Sequence, residues 1–345
     1  METKPNIRQL SREELGKYLT AAGEKPFRAG QVYDWLWLHH AGSFEEMSNL
    51  SKTLRERLSA DFSLPALRVD ATQHSADGTI KSRFRLPDGH LVEGVLIPTA
   101  TRQTACVSSQ VGCSLSCRFC ATGFMDRKRN LSFDEIVDEV ALINRQSQET
   151  FGKKLTNIVY MGMGEPLLNY RQVMRSIERI TSPEGMAMSP RRITVSTAGV
   201  AKMIRQLGDD KVRFNLALSL HAANDKKRSE IMPVNDNNNL KALTEALNYF
   251  YRETRNDITF EYILFRNFND TLKDADELIR LYRQVPVKVV NLIEYNPVDH
   301  TPFAKPDEAQ VTAFMQYLEK HRVNARIRHS RGKDIDAACG QLANK

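Results

Sequence analysis

The sequence predicts an α/β fold in which a parallel sheet, curled by right-handed crossovers, follows a small N-terminal helical domain. Residues 1–65 carry helical patterns alone. Further along, short apolar strand patterns at 157–161, 192–195, 213–220, 258–263 and 287–293 alternate with amphipathic helical patterns such as 240–254, 271–283 and 307–320. Repeated strand–helix units favour a parallel sheet, and ligands of such sheets bind at the carboxyl ends of the strands.

The elements before the alternating region are shorter. Ser11 and Glu14 form a capping-box pattern that predicts the start of a helix, and Pro26 predicts the start of a second. We expect three parts: residues 1–65 as a helical accessory domain, 66–98 as a β-hairpin linker carrying Glu93, and 99–345 as the barrel. The accessory domain is either a platform for docking RNA or a structural cap.

Composition excludes several classes of protein. Of the 345 residues, 41% are hydrophobic and 26% are charged, which is typical of a soluble globular protein. The apolar runs are strand-sized, so we expect no membrane span. The polar N-terminus resembles no signal peptide, so we expect a cytoplasmic protein. A net charge of +7, with basic clusters at 127–129, 191–192 and 322–333, favours a phosphate backbone as partner, although a merely basic enzyme is the alternative.

Three of the five cysteines form a compact motif. Cys113, Cys117 and Cys120 have the spacing C-x₃-C-x₂-C. Structural zinc requires four ligands, whereas three thiolates on a cubic iron–sulfur cluster leave one iron open for a substrate. A zinc site completed by a distant histidine is the alternative, but none of the eight histidines lies in this loop.

This spacing, with Phe119 just before the last cysteine, resembles the radical S-adenosylmethionine (SAM) superfamily. The resemblance implies a partial (βα)6 radical SAM barrel, one 4Fe-4S cluster on the three cysteines, and SAM chelated to the open iron. It also implies a SAM site at successive strand ends. The residues expected there are Gly164 and Glu165 in the run Met161–Pro166, then Ser196, Ser219, Leu220, His221 and Asn296.

The remaining cysteines specify the resemblance further. The segments Cys106–Cys113, Arg129–Leu131, Met161–Pro166, Arg191–Thr197, Lys25–Ala29 and the run around Cys339 resemble the RlmN family of RNA adenosine carbon-2 methyltransferases. The family implies that one SAM methylates Cys339 and that a second is cleaved to generate the radical, so two are used per turnover. The methylated cysteine then bonds covalently to the adenine, Glu93 accepts a proton, and Cys106 resolves the adduct through a transient disulfide with Cys339.

The resemblance also implies partners. The substrates are an adenosine in the peptidyl transferase centre of 23S rRNA and the adenosine 3′ of the tRNA anticodon, and flavodoxin or ferredoxin is the plausible electron donor. We expect a monomer. Arg328, Arg331 and Lys333 either stabilise the Cys339 thiolate or bind phosphate. Two rival readings stay open, a Cfr-like carbon-8 rRNA adenine methyltransferase and a non-methylating iron–sulfur protein.

Overall fold

The computed structural model describes residues 4–299 and 301–344. Its N-terminal part contains three helices, α1 (Arg12–Ala21), α2 (Phe27–Trp37) and α3 (Lys52–Asp61). The predicted capping box of Ser11 and Glu14 is present at α1, and Pro26 immediately precedes α2. The third helix begins directly after Ser51, because the Ser51 hydroxyl accepts the amide of Leu54.

The next four strands are antiparallel: β1 (Arg68–His74), β2 (Ile80–Arg85), β3 (Leu91–Pro98) and β4 (Gln103–Cys106). The turns of the two hairpins contain Gly78 and Gly89, each with a φ of +86° that favours glycine. Because β3 pairs with β4, the hairpins extend the main sheet. The division of the chain into three domains stays a prediction.

A strand–helix alternation follows β4. The further strands are β5 (Gln110–Val111), β6 (Arg129–Asn130), β7 (Asn157–Tyr160), β8 (Ile193–Thr197), β9 (Asn215–Ser219), β10 (Ile258–Leu264), β11 (Val287–Glu294) and β12 (Ala325–Arg328). The further helices are α4 (Phe133–Phe151), α5 (Tyr170–Thr181), α6 (Ala201–Asp209), α7 (Asp225–Ile231), α8 (Leu240–Thr254), α9 (Leu272–Tyr282) and α10 (Glu308–Lys320).

Ten strands form one sheet in the order β1-β2-β3-β4-β7-β8-β9-β10-β11-β12. From β4 to β12 every neighbouring pair is parallel. Six crossovers through helices link these strands, so the predicted α/β fold with a partial (βα)6 barrel is confirmed. In the described part of the chain β1 and β12 are the outer strands, and the sheet therefore stays open.

The N-terminal helices pack against the outer face of α4. Trp37 stacks on Phe133 with ring centroids 5.5 Å apart. Arg8 forms a buried 2.6 Å ion pair with Asp138 and also donates to the carbonyl of Ala41. Within the described residues, no helix is both long enough and apolar enough to cross a bilayer.

After β12 the chain crosses the opening between the outer strands. We call residues 329–336 the closing segment, because they bind the turn between β1 and β2. The Gly332 amide donates to Asp77 over 3.0 Å, and Asp334 accepts from the hydroxyl of Ser75 and the amide of Ala76. Residues 337–344, the C-terminal tail, then run along the carboxyl ends of the parallel strands and contain Cys339.

Candidate active site

The three-cysteine motif lies on a tight loop at the carboxyl edge of the sheet. The Cys120 amide donates to the Cys117 carbonyl over 3.2 Å, and the Gly123 amide donates to the Cys120 carbonyl over 2.9 Å. A Cβ on Gly123 would lie 2.6 Å from the Cys117 carbonyl oxygen, so this approach requires glycine. The loop therefore holds Cys113, Cys117 and Cys120 on one cleft of about 900 Å³.

The chemistry of these thiols fits a cluster. Burial raises the pKa of Cys113 to about 11 and also raises those of Cys117 and Cys120. Repulsion among the three adds to the shift at Cys113 and Cys117, so they lie close to one another. Bound metal cations offset the cost of ionising these buried thiols, because they stabilise the thiolates.

The same thiols do not form a site for a single ion. Among residues 4–299 and 301–344, no three Cys, His, Asp or Glu side chains are arranged to hold one metal ion. A four-iron cluster spreads its thiolates over separate irons, so its ligands need not converge on one point. The donor set therefore fits a three-ligand iron–sulfur cluster better than the zinc alternative.

Gly164 and Glu165 lie on the facing wall of the cleft. Gly164 has a φ of +92°, and its missing side chain makes room for Gln110, whose side-chain oxygen accepts the Glu165 amide at 2.9 Å. The Glu165 carboxylate accepts the amides of Ala198 (2.7 Å) and Leu167 (3.0 Å), one at each oxygen. Burial raises the pKa of Glu165, although these amides oppose the shift. Even with the Thr197 hydroxyl as a further donor, the carboxylate keeps a lone pair for a ligand ammonium.

Two more predicted strand ends contribute to the cleft. Ser196 is the penultimate residue of β8 and Ser219 the last of β9, and their hydroxyls lie 3.3 Å apart. His221 follows β9 with a φ of +53°, and its Nδ1 accepts the amide of Ile263 at 3.1 Å. Burial lowers the pKa of His221 to about 3, so the ring is neutral near pH 7 and carries its proton on Nε2.

Three predicted residues lie behind the cleft rather than on its surface. Leu220 is buried, and its carbonyl accepts the guanidinium of Arg228 at 3.1 Å. The Asn296 amide group donates to the carbonyl of Cys339 at 3.3 Å. Glu93 is fully buried beneath the C-terminal tail. Sequence position alone could not separate side chains on the cleft from those one layer behind it.

Cys106 and Cys339 come together at an adjoining cleft of about 750 Å³, which shares Cys120 and Arg328 with the first. Burial raises the pKa of Cys106, the charge of Cys339 raises it further, and that of Arg328 lowers it. Of the three cations considered for stabilising the Cys339 thiolate, Arg328 lines both clefts together with Cys339. Lys333 instead pairs with Glu294 at 2.6 Å.

The sequence did not predict the polar network around Glu261 and Arg328, which line the first cleft. Glu261 on β10 accepts from Asn291 on β11 at 2.5 Å and from Arg328 on β12 at 3.3 Å. Asn291 in turn accepts from Arg326 at 2.6 Å. A carboxylate in the middle of an apolar strand was the available signal, because such a group needs a buried partner.

A solved structure confirms the fold of this chain. The crystal structure of a radical SAM methyltransferase from Sphaerobacter thermophilus matches it with a TM-score of 0.93 and 41% identity, covering 99% of this chain and 100% of that one. The model of the radical SAM superfamily matches residues 107–282. Fold and cysteine loop together define a radical SAM enzyme, a class whose cofactors are a 4Fe-4S cluster and SAM.

Two further comparisons identify the family. Residues 5–64 match the N-terminal domain of a ribosomal RNA large subunit methyltransferase. A probable dual-specificity RNA methyltransferase RlmN from Cytophaga hutchinsonii is 55% identical over 342 residues, covering 99% of this chain and 93% of its own. One from Salinibacter ruber is 44% identical over 352 residues, covering 100% and 95%. The chain belongs to the RlmN family of dual-specificity RNA methyltransferases, and the carbon-8 alternative is not favoured.

Proposed function

We propose that this enzyme methylates carbon 2 of adenosine in 23S rRNA and in tRNA through a methylated Cys339. The observation that carries the proposal is the meeting of Cys339 and Cys106 at a cleft that adjoins the cysteine-loop cleft. Carbon 2 of adenine is not nucleophilic, so direct methyl transfer would fail there. When bound, the cluster and SAM supply the methyl group and the one-electron chemistry that avoids this obstacle.

The protein's own residues have separate roles in this proposal. Cys113, Cys117 and Cys120 hold the cluster. Gly164 and Glu165 bind the methionine end of SAM, and the strand-end residues orient the rest of the molecule. These residues are Ser196, Ser219, Leu220, His221 and Asn296. The neutral Nε2–H of His221 is a donor, and Asn296 acts through its contact with the Cys339 carbonyl.

Cys339 accepts the methyl group and then joins the substrate covalently, while Glu93 takes the proton from carbon 2. The Cys106 thiolate next attacks the sulfur of Cys339 and forms a disulfide. The bond from sulfur to the transferred carbon breaks, and that carbon keeps the electron pair and takes up a proton to become the methyl group. Because the Ala343 amide binds the Glu93 carboxylate at 2.9 Å, the C-terminal tail has to shift before adenine meets Glu93.

The proposal also includes the partners. The net charge of +7 favours RNA, and we assign RNA docking to the N-terminal helices. Flavodoxin or ferredoxin supplies electrons to a monomeric enzyme. This work takes place in the cytoplasm, where bacterial rRNA and tRNA are made.

The test is anaerobic reconstitution with iron and sulfide, followed by mass spectrometry of nucleosides from treated tRNA and free 23S rRNA. We expect 2-methyladenosine in both RNAs, and none with the Cys339→Ala variant. A product of 8-methyladenosine, or an unmodified RNA after SAM cleavage, would refute the proposal.

A further inference from the structure

A buried cation lies beside Glu93. The Glu93 side chain is 0% exposed, and Nζ of Lys81 lies 3.6 Å from its Oε1, with the lysine side chain 3% exposed. In the β2–β3 register Lys81 pairs with Val95, so it is the diagonal neighbour of Glu93 on the same face of the sheet. The pair is therefore built into the strand register.

The two oxygens of the Glu93 carboxylate differ. Oε2 accepts the Ala343 amide at 2.9 Å, whereas Oε1 is buried and makes no hydrogen bond within the described residues. Arg83 lies directly opposite Glu93, but its guanidinium binds Asp70 at 2.7 Å and the carbonyl of Asn344. The ammonium of Lys81 is thus the cation positioned against the free oxygen.

Glu139 shows what burial does without such a cation. It projects from α4 toward the opposite side of β3, is 0% exposed, and both of its oxygens share the Ser108 amide at 3.1 Å. Burial raises the pKa of Glu139 far above its usual range. An ionised carboxylate removed from water is costly unless a cation or several donors compensate it. Lys81 supplies that compensation to Glu93.

We propose that Lys81 is a positioning residue that keeps the buried Glu93 carboxylate ionised and orients Oε1 to take the carbon-2 proton. The inference rests on the proton-accepting role that the proposed function gives Glu93. In this step one proton moves from carbon 2 to the carboxylate, and the electron pair of the carbon–hydrogen bond stays in the ring. The neutral acid then faces an unpaired buried ammonium, which favours release of the proton to solvent once the tail has moved.

The test compares Lys81→Met and Lys81→Gln, which remove the charge, with Lys81→Arg, which keeps it. Arg85→Met is the matched control, because Arg85 lies on the same strand and face but pairs with Asp70 near the surface. We expect methyladenosine formation to fall by roughly 10- to 100-fold in the two uncharged variants, which is up to the lower end of the contribution of general base catalysis, and to recover substantially in the arginine variant. Cleavage of SAM and methylation of Cys339, which do not use Glu93, should persist in all four.

Two readouts separate this role from a structural one. With RNA carrying deuterium at carbon 2, the uncharged variants should show a larger isotope effect than the wild type, because proton removal becomes slow. RNA methylation by the uncharged variants should also reach its maximum rate at a higher pH than that of the wild type. The charged and titratable groups around Glu93 that enter this pH profile are Lys81 and Arg83 from β2, Cys106 from β4 and Glu139 from α4.

The possible outcomes distinguish a failure of this inference from a failure of the proposed function. If Glu93→Gln methylates RNA slowly while Lys81→Met and Lys81→Gln show wild-type rates and isotope effects, the inference is overturned and the proposed function stands. The inference is also overturned if SAM cleavage, Cys339 methylation and RNA methylation of the uncharged variants all fall together with their melting temperature. A Glu93→Gln variant as fast as the wild type would instead remove the proton-accepting role itself.

Discussion

The carboxylate of Glu139 occupies the space that a side chain at position 94 would need. A Cβ on Gly94 would lie 2.5 Å from Oε1 of Glu139 and 3.0 Å from atoms of Ile143 and Phe84. Glu139 cannot easily give way, because both of its oxygens are bound to the Ser108 amide. The glycine next to Glu93 is therefore required by packing against α4.

Gly94→Ala should consequently lower the free energy of unfolding by about 1–3 kcal/mol, the usual cost of overpacking a core. Gly16→Ala is the matched control, since Gly16 lies inside α1 and its Cβ would be 3.8 Å from that of Ala29 on α2. That change should be neutral or stabilising by up to about 1 kcal/mol. Urea unfolding followed by circular dichroism measures both, and equal stabilities for the two variants would contradict the packing argument.

Variants of the two cysteines in the second cleft should block the reaction at different steps. Cys339→Ala should reduce methyladenosine to background while the absorption of the iron–sulfur cluster stays unchanged, because Cys339 is outside the cysteine loop. Cys106→Ala should leave RNA covalently attached to the protein, since no thiol remains to attack Cys339. A denaturing gel of the reaction detects the adduct. Free, fully methylated RNA from Cys106→Ala would exclude the resolving role.

The ion pair between Arg8 and Asp138 should be the main polar anchor of the N-terminal helices. Their side chains are 1% and 8% exposed, so removing one partner leaves a buried charge. Arg8→Met should lower the free energy of unfolding by about 3–5 kcal/mol. Lys17→Met, which breaks the exposed pair with Glu13, should cost less than about 0.5 kcal/mol. Denaturant titration of both variants measures the difference, and a similar small cost for each would refute it.

Asp77 should make the attachment of the closing segment depend on pH. Burial alone would raise the pKa of Asp77, but hydrogen bonds from Thr79 and Gly332 outweigh it and lower the pKa to about 2. The folded protein then binds fewer protons than the unfolded chain between about pH 4 and pH 2. The contribution of Asp77 to stability is therefore complete above about pH 4 and is lost as the pH falls through about 2.

The corresponding variant is Asp77→Asn. Above pH 4 it should be less stable than the wild type by about 1 kcal/mol, a value reduced for solvent screening because the side chain is partly exposed. The difference should shrink as the pH falls toward 2 and disappear below it. Urea titrations at several pH values measure this. A difference that is constant from pH 7 to pH 2 would show that the carboxylate charge is not involved.

Local patterns in the sequence were sufficient for much of the fold. The helix at Leu240–Thr254 has the predicted bounds, because its apolar repeat and the Asn239 cap are encoded in neighbouring residues. Strand β12 was not predicted. In Ala325–Arg328 two arginines alternate with apolar residues, and the partner of Arg326, Asn291, lies on another strand. A short charged strand is recognisable only once its neighbours are in place.

The same distinction holds for the site. The cysteine loop and the strand ends at Ser196 and Ser219 were predicted from contiguous motifs and do line one cleft. The pairing of Lys81 with Glu93 depends on the register of two strands, and the contact of Ala343 with Glu93 spans 250 positions of the chain. Neither follows from periodicity or spacing.

The closing segment has a consequence for the order of events. The C-terminal tail that follows it covers Glu93, since the Ala343 amide binds the Glu93 carboxylate. On the proposed function, admitting an adenine to Glu93 displaces this tail, which also carries Cys339. We therefore expect Cys339 to be methylated in the RNA-free enzyme, so that the RNA binds to an enzyme whose Cys339 already carries the methyl group.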